Sequence, residues 1–385
     1  MFNLLEPAEL RLGGILAAVV GLRMLGLFLV LPVFMLLAMD TPGYTPTLAG
    51  LAIGIYGLTQ AAMQQPFGRL SDRWGRRRVI WLGLALFVAG GVVAALANGM
   101  ALLIAGRALQ GCGAIAGVTL AFAADHTHPQ RQPVIMALIG IGIGASFLVS
   151  IMLSVPLAAV LGLSGLFWLT SVLGVLAMLM VAATPGHGPA RADFPPTSEV
   201  NGDIRPLAAS VFLLHALMTL FFVVLPGMLV ADYALALPQH WKIYVPTMAL
   251  SAICVFPLLH ALGRRGQERD VLPWAFAALA LVFALIGHSG GVWMLMAVVT
   301  LYFLAFNVLE AAMPSLVSRL AGPHGRGHRM GVYTTFQFLG AFCGGAGGGW
   351  LLERLGPAQL LTAAAGVCLA WAVIYRWLPV TRPAR

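Results

Sequence analysis

The chain alternates long apolar runs with short polar gaps. Apolar runs near 12–38, 46–67, 79–97, 101–124, 133–160 and 164–183 precede a polar stretch at 184–206. A second set follows near 207–232, 242–262, 271–288, 291–318, 329–352 and 358–378. About 20 consecutive apolar residues cross a bilayer as a helix, and the breaks fall where charge, Pro and Gly cluster. The pattern predicts an all-α membrane protein of twelve transmembrane helices. The expected organisation is an N-terminal six-helix half over 1–183, a cytoplasmic linker over 184–206 and a C-terminal six-helix half over 207–385.

Composition sharpens this. Of 385 residues 60% are hydrophobic and 9% charged, with mean hydropathy +0.92. A soluble domain carries roughly 25% charged residues, so lipid must be the solvent for much of the surface. The net charge of +9 does not point to nucleic acid, because the arginines occupy short gaps between apolar runs. With the N-terminus in the cytoplasm, 18 of the 22 basic residues fall in cytoplasmic segments and only Lys242 and Arg354 in outer ones. This bias places both termini inside. Pro185, Pro189, Pro195 and Pro196 make the linker a flexible connection. Glu6, Glu9 and the length of the first run argue against a cleavable signal. Cys112, Cys254, Cys343 and Cys368 lie in apolar runs without metal or disulfide spacing and read as packing residues.

The gap after the second run reads Gly68-Arg69-Leu70-Ser71-Asp72-Arg73-Trp74-Gly75-Arg76-Arg77-Arg78. Gly, three residues, Asp, a basic residue, one residue and Gly resembles the loop signature of the major facilitator superfamily. A generic basic loop would not need Gly68, Asp72 and Gly75 in this register. The expected role is a cytoplasmic latch. Gly68 would permit close helix approach, and Asp72 would face a helix N-terminus, where the dipole favours an anion. The resemblance implies the eleventh helix as its partner. Arg73 belongs to the same signature, Arg76 is placed to pair with Asp125, and Arg131 could join that network. A weaker copy, Gly263-Arg264-Arg265, closes the eighth run without the aspartate, as expected of two related halves. In the fourth run, Arg107 followed by Gln110 and Gly111 resembles a second superfamily signature; a structural arginine bonded to carbonyls is the competing reading.

Most of the chain also resembles the YajR-like bacterial subgroup. The resemblance rests on Gly21-Leu22-Arg23-Met24-Leu25-Gly26, Gly54-Ile55-Tyr56-Gly57-Leu58-Thr59-Gln60, Phe306-Asn307-Val308-Leu309-Glu310 and Gln337-Phe338-Leu339-Gly340. It implies a monomeric, proton-driven exporter in the bacterial inner membrane whose substrate is poorly defined; the polarity of the embedded residues suggests a small organic or amphipathic solute. Members can carry an additional C-terminal soluble domain; here the sequence reaches only the twelfth predicted helix and none is expected. Proton antiporters of the superfamily often carry Gly-Pro in the fifth helix, whereas Val155 precedes Pro156 here. That departure weakens antiport against symport or facilitated import.

Polar groups inside spanning helices default to a cavity or proton path. The candidates are Arg23, Tyr56, Gln60, Gln64, Arg107, His215, Asn307, Glu310 and Gln337. Tyr56, Gln60 and Gln64 recur at i, i+4, i+8; Asn307 and Glu310 share a face at i, i+3. Glu310 is the expected proton-titrating carboxylate, with Arg23 as an exchange partner. A static ion pair, a core histidine and helix–helix glue are the respective bland readings for Glu310, His215 and the Tyr56 stripe. There is no phosphate-binding loop, metal-ligand spacing or nucleophile constellation, so no cofactor, metal or enzymatic activity is expected. A receptor or scaffold on the same fold is the remaining alternative, disfavoured by the loop signature and embedded charges. The expected partners are protons, a small-molecule substrate and lipid.

Overall fold

The computed structural model describes residues 6–128, 131–184, 203–288, 290–320 and 322–378. Most of the predicted linker, with Arg191, and the basic residues Arg382 and Arg385 lie outside the described residues. Among those described, every regular element is helical.

The first helix, α1, is Pro7–Val30. Pro7 supplies a preset φ at its first turn, and the Glu6 N–H donates to the Glu9 carboxylate at 3.0 Å, closing a capping box. A short α2 (Phe34–Leu37) leads to α3 (Pro46–Trp74), α4 (Arg76–Ala95), α5 (Met100–Cys112), α6 (Ala116–Asp125) and α7 (Gln132–Ala182). Next come α8 (Arg205–Ala231), α9 (Trp241–Arg265), α10 (Val271–Ile286) and α11 (Val292–Leu320). Finally α12 (Gly322–Phe342) runs through a π turn at Cys343–Gly347 into α13 (Gly348–Trp377).

Two helical stretches, Val134–Ala182 and Arg329–Trp377, are each 49 residues long. At 1.5 Å per residue that is about 74 Å, more than twice a hydrocarbon core of about 30 Å. Each is broken by a glycine at positive φ, Gly162 (62°) and Gly356 (74°), a conformation open to glycine at little steric cost. Each stretch is therefore two spans. Eight helices are long and apolar enough to cross a membrane; halving these two gives ten. With the 16-residue apolar α10 and with α3, whose end carries Arg69, Asp72 and Arg73, the described helices are consistent with the twelve predicted.

Three predicted boundaries move. The run 101–124 is two helices, because Gly113 at φ −74°, ψ 53° makes a tight turn in which Ile115 N–H donates to the Gly113 carbonyl. The second span continues to Trp74, since the charged signature prolongs the helix until Gly75 reverses it at φ 91°. The eleventh begins at Gly322, seven residues before the predicted 329.

The chain divides into two compact units. The first comprises Met1–Tyr44 and Ile55–Thr197, the second Thr45–Gly54 and Ser198–Arg385. In the first, α1 lies along α7, and α4 packs on α5 and α7 around Leu16, Val19, Phe87 and Phe167. In the second, α8 packs on α12, α10 on α13, and α11 on α9 and α10. Its centre is aromatic: Phe221 and Tyr302 stack at 3.7 Å, with Phe283 edge-on to both. The first turns of α3 belong to this second unit, where a Cβ on Gly54 would lie 2.7 Å from the Phe342 carbonyl oxygen and the Thr47 N–H donates to Glu353 at 3.0 Å. Val160 and Trp293, each 83% exposed, and Ile253 turn apolar side chains outward. Water would penalise such an exterior; hydrocarbon does not.

Candidate functional site

In the first unit the polar interior is cationic. Arg23 on α1 is fully buried. Its Nη2 donates to Gln60 Oε1 on α3, and its guanidinium lies 5.8 Å from the Tyr56 ring centroid and 5.6 Å from that of Phe87. Arg107 on α5, also buried, lies 5.0 Å from the same Tyr56 ring and 5.9 Å from Phe167. Its Nη1 donates to Gln110 Oε1 at 2.9 Å, and Gln110 Nε2 donates to Thr170 Oγ1 on α7 at 3.2 Å. An arginine in mid-membrane costs about 2.5–3.5 kcal/mol; an aromatic face returns up to about 2 kcal/mol when desolvated. Glycine is what lets α4 and α5 seal this arrangement: a Cβ on Gly106 would lie 2.6 Å from Ala94 N, and one on Gly90 2.6 Å from the Gly106 carbonyl oxygen.

Gln64, one turn beyond Gln60, is buried too. The sequence alone did not identify Phe87 or Thr170 with this cluster, since an aromatic and a threonine in apolar helices carry no signal of their own.

At the end of α3 the loop signature forms a compact ion-pair network. Arg76 Nη1 lies 2.7 Å from Asp72 Oδ1, and Arg76 Nε donates to Asp125 Oδ2 at 2.9 Å. Arg76 also donates to Ser71 Oγ, which donates to the Gly68 carbonyl at 2.7 Å. Gly75 is needed for its positive φ. A Cβ on Gly68 would meet nothing within 4 Å, and its carbonyl accepts from Ser71. Arg73 is exposed. Arg131 goes elsewhere, to Glu6 and Glu9, each at 2.8 Å, while Glu9 also accepts the His128 N–H at 3.0 Å. The hydrogen bonds that Arg131 donates to Glu6 and Glu9 raise its pKa above the ordinary value. Arg131 thus clamps the start of α1 to the loop before α7.

In the second unit the polar interior holds a histidine and a carboxylate. His215 on α8 directs Nδ1 at the Val211 carbonyl, 3.1 Å away. A carbonyl only accepts, so Nδ1 carries the hydrogen, and in the neutral ring Nε2 is the acceptor. The Gln337 amide on α12 supplies both its donors: to His215 Nε2 at 2.7 Å and to Glu310 Oε1 on α11 at 3.4 Å. Glu310 Oε2 lies 3.7 Å from His215 Nε2 and, among the described residues, has no hydrogen-bond partner. The Glu310 side chain is 34% exposed against 6% for His215. Tyr333, one turn before Gln337, is buried within electrostatic range of Glu310. Its i, i+4 spacing from Gln337 is the signal in the sequence that places the two on one face. Asn307 departs from the shared-face expectation: its Nδ2 donates to Ser251 Oγ on α9 at 3.0 Å.

Apolar spanning helices in two units, each burying ionisable groups, are the architecture of an integral membrane protein. The sequence pattern of the Major Facilitator Superfamily matches residues 16–265 and, again, 207–385, and the chain belongs to that superfamily. It is a secondary transporter, not an enzyme. It is 37% identical over 383 residues to the inner membrane transport protein YajR of Escherichia coli strain K12, covering 96% of this chain and 84% of that one. The quinolone resistance protein NorA of Staphylococcus aureus strain MRSA252 is 24% identical, over 91% of this chain and 92% of its own. Among solved structures, the nucleoside transporter NupG superposes with a TM-score of 0.73 at 15% identity, over 96% of this chain and 98% of that one, which speaks for the fold alone.

Proposed function

We propose that this protein is a proton-coupled exporter of a small organic solute, residing in the bacterial inner membrane with both termini in the cytoplasm and working by alternating access. The observation that carries the coupling is the His215–Gln337–Glu310 cluster. His215 Nε2 and Glu310 Oε2 are 3.7 Å apart with one amide bonded to both side chains. A proton arriving on Nε2 removes the acceptor that Gln337 now uses, so the amide turns to offer its oxygen, and the imidazolium faces the carboxylate. Loss of that proton reverses the turn. The half-open Glu310 is where the proton enters. Gln337 bridges α12 to α8 and α11, so each change of its bonding is felt by three helices. The Arg76–Asp72–Asp125 network acts as the cytoplasmic latch. Export as the direction rests on the family likeness and on NorA, a relative named for quinolone resistance.

The test is proton movement in proteoliposomes of the purified protein on addition of a quinolone such as norfloxacin. A pH change on addition is the expected result, absent in Glu310→Gln at equal protein level. Solute flux with no proton movement, in both proteins, would reduce the chain to a facilitator and leave Glu310 a structural group.

A further inference from the structure

Among the described residues the positive charge of Arg23 has no anionic counterpart in its own unit. The described carboxylates of that unit are Glu6 and Glu9, bound to Arg131, Asp72 and Asp125, bound to Arg76, and Asp40 at the end of a 3-10 turn. All stand at helix ends. Arg23 is fully buried, and among the described residues its Nε and Nη1 meet no acceptor. Its Nη2 donates to a neutral amide. The Gln60 Nε2 beside it is likewise without an acceptor among the described residues. A guanidinium keeps its proton in proteins, so this site cannot relieve itself by becoming neutral. Arg107 on the same Tyr56 ring adds a second positive charge. Cationic donors walled by Tyr56 and Phe87 suit a ligand with one anionic group on a flat apolar body.

We infer that Arg23, with the Gln60 amide, binds the anionic group of the transported solute, and that the substrate class is an aromatic monoanion bearing a carboxylate or sulfonate. This rests on the reading of the protein as a solute exporter. The guanidinium is sealed in the present conformation, so the acid enters in one that exposes it, and binding shifts the population toward that state.

The experiment is the thermal stability of the full chain purified in detergent in chloride buffer, with four probes on one ring system: 2-naphthoate, 2-naphthalenesulfonate, 2-naphthamide and 2-naphthylmethylamine. The two anions should raise the melting temperature with concentration, and the amide and amine should not. Arg23→Gln should weaken the apparent naphthoate affinity by at least about 30-fold. No shift with either anion, an equal shift with the amide, or an undiminished shift in Arg23→Gln would overturn the inference. A second variant needs no ligand. Gln60→Glu supplies an anion from within, so it should raise the melting temperature of the empty protein by several degrees and abolish the naphthoate shift. An unchanged or lowered melting temperature with the naphthoate response intact would overturn it. Neither measurement involves a proton gradient, so either result leaves the coupling role of Glu310 to be judged separately.

Discussion

The two units solve the problem of burying polar groups in opposite ways. In the first, Arg23 and Arg107 are cations that do not titrate, supported by neutral amides and by the faces of Tyr56, Phe87 and Phe167. In the second, His215 and Glu310 can both take or release a proton, and Gln337 bonds to both. A fixed charge in a low-dielectric interior needs an opposite charge beside it, from the protein or from a ligand. A titratable pair can cancel its own charge by moving a proton. The contrast is the basis on which we propose solute recognition for the first cluster and energy coupling for the second.

Three substitutions break or sharpen that contrast. The largest effect is expected from Gly90→Val. A Cβ there already comes within 2.6 Å of the Gly106 carbonyl, so a branched side chain pushes α4 from α5 and dismantles the Arg107–Gln110 pair. Size-exclusion profiles in detergent should show little monodisperse protein; a normal profile would mean that the helices can part without loss. Next is Gln337→Leu, which leaves the His215 Nε2 acceptor without its donor. The cost should be about 1–3 kcal/mol, read as a lower melting temperature, with solute-driven proton movement lost and naphthoate binding kept. Loss of both readouts would join the two clusters into one device. The smallest is Asn307→Ala, which removes one neutral bond to Ser251 and should cost about 1 kcal/mol while proton movement persists. If proton movement stops, Asn307 belongs with Glu310 after all.

The spans were readable because lipid imposes a simple demand, about 20 apolar residues per crossing, and because Gly162 and Gly356 lie in the predicted gaps between spans. The turn at Gly113 was not, since Gly-Cys-Gly in an apolar run is equally good as packing glycine. His215, Glu310 and Gln337 stand out as lone polar residues in apolar helices. Their mutual contact does not, because it depends on how α8, α11 and α12 are rotated about their axes. The separation of Asn307 from Glu310 has the same origin: residues at i, i+3 differ by about 60° in direction, enough for one to reach α9 and the other α12. Arg131 could be assigned to a network by its place in the chain but not to Glu6 and Glu9, which lie over 120 residues away in sequence.

The π turn at Cys343–Gly347 carries a consequence for the length of the chain itself. A π turn holds one residue more than the α-helical turn it replaces. Removing Gly347, whose Cβ position meets nothing within 4 Å, would let the turn relax to α geometry. Residues after the turn would then keep their present facing relative to Gln337 and Tyr333. In a regular α-helix the same deletion would swing everything beyond it by about 100°. This helix therefore contains a place where a deletion of one codon leaves both faces in register, and relatives that differ by one residue here are expected to align without a gap on either side of it.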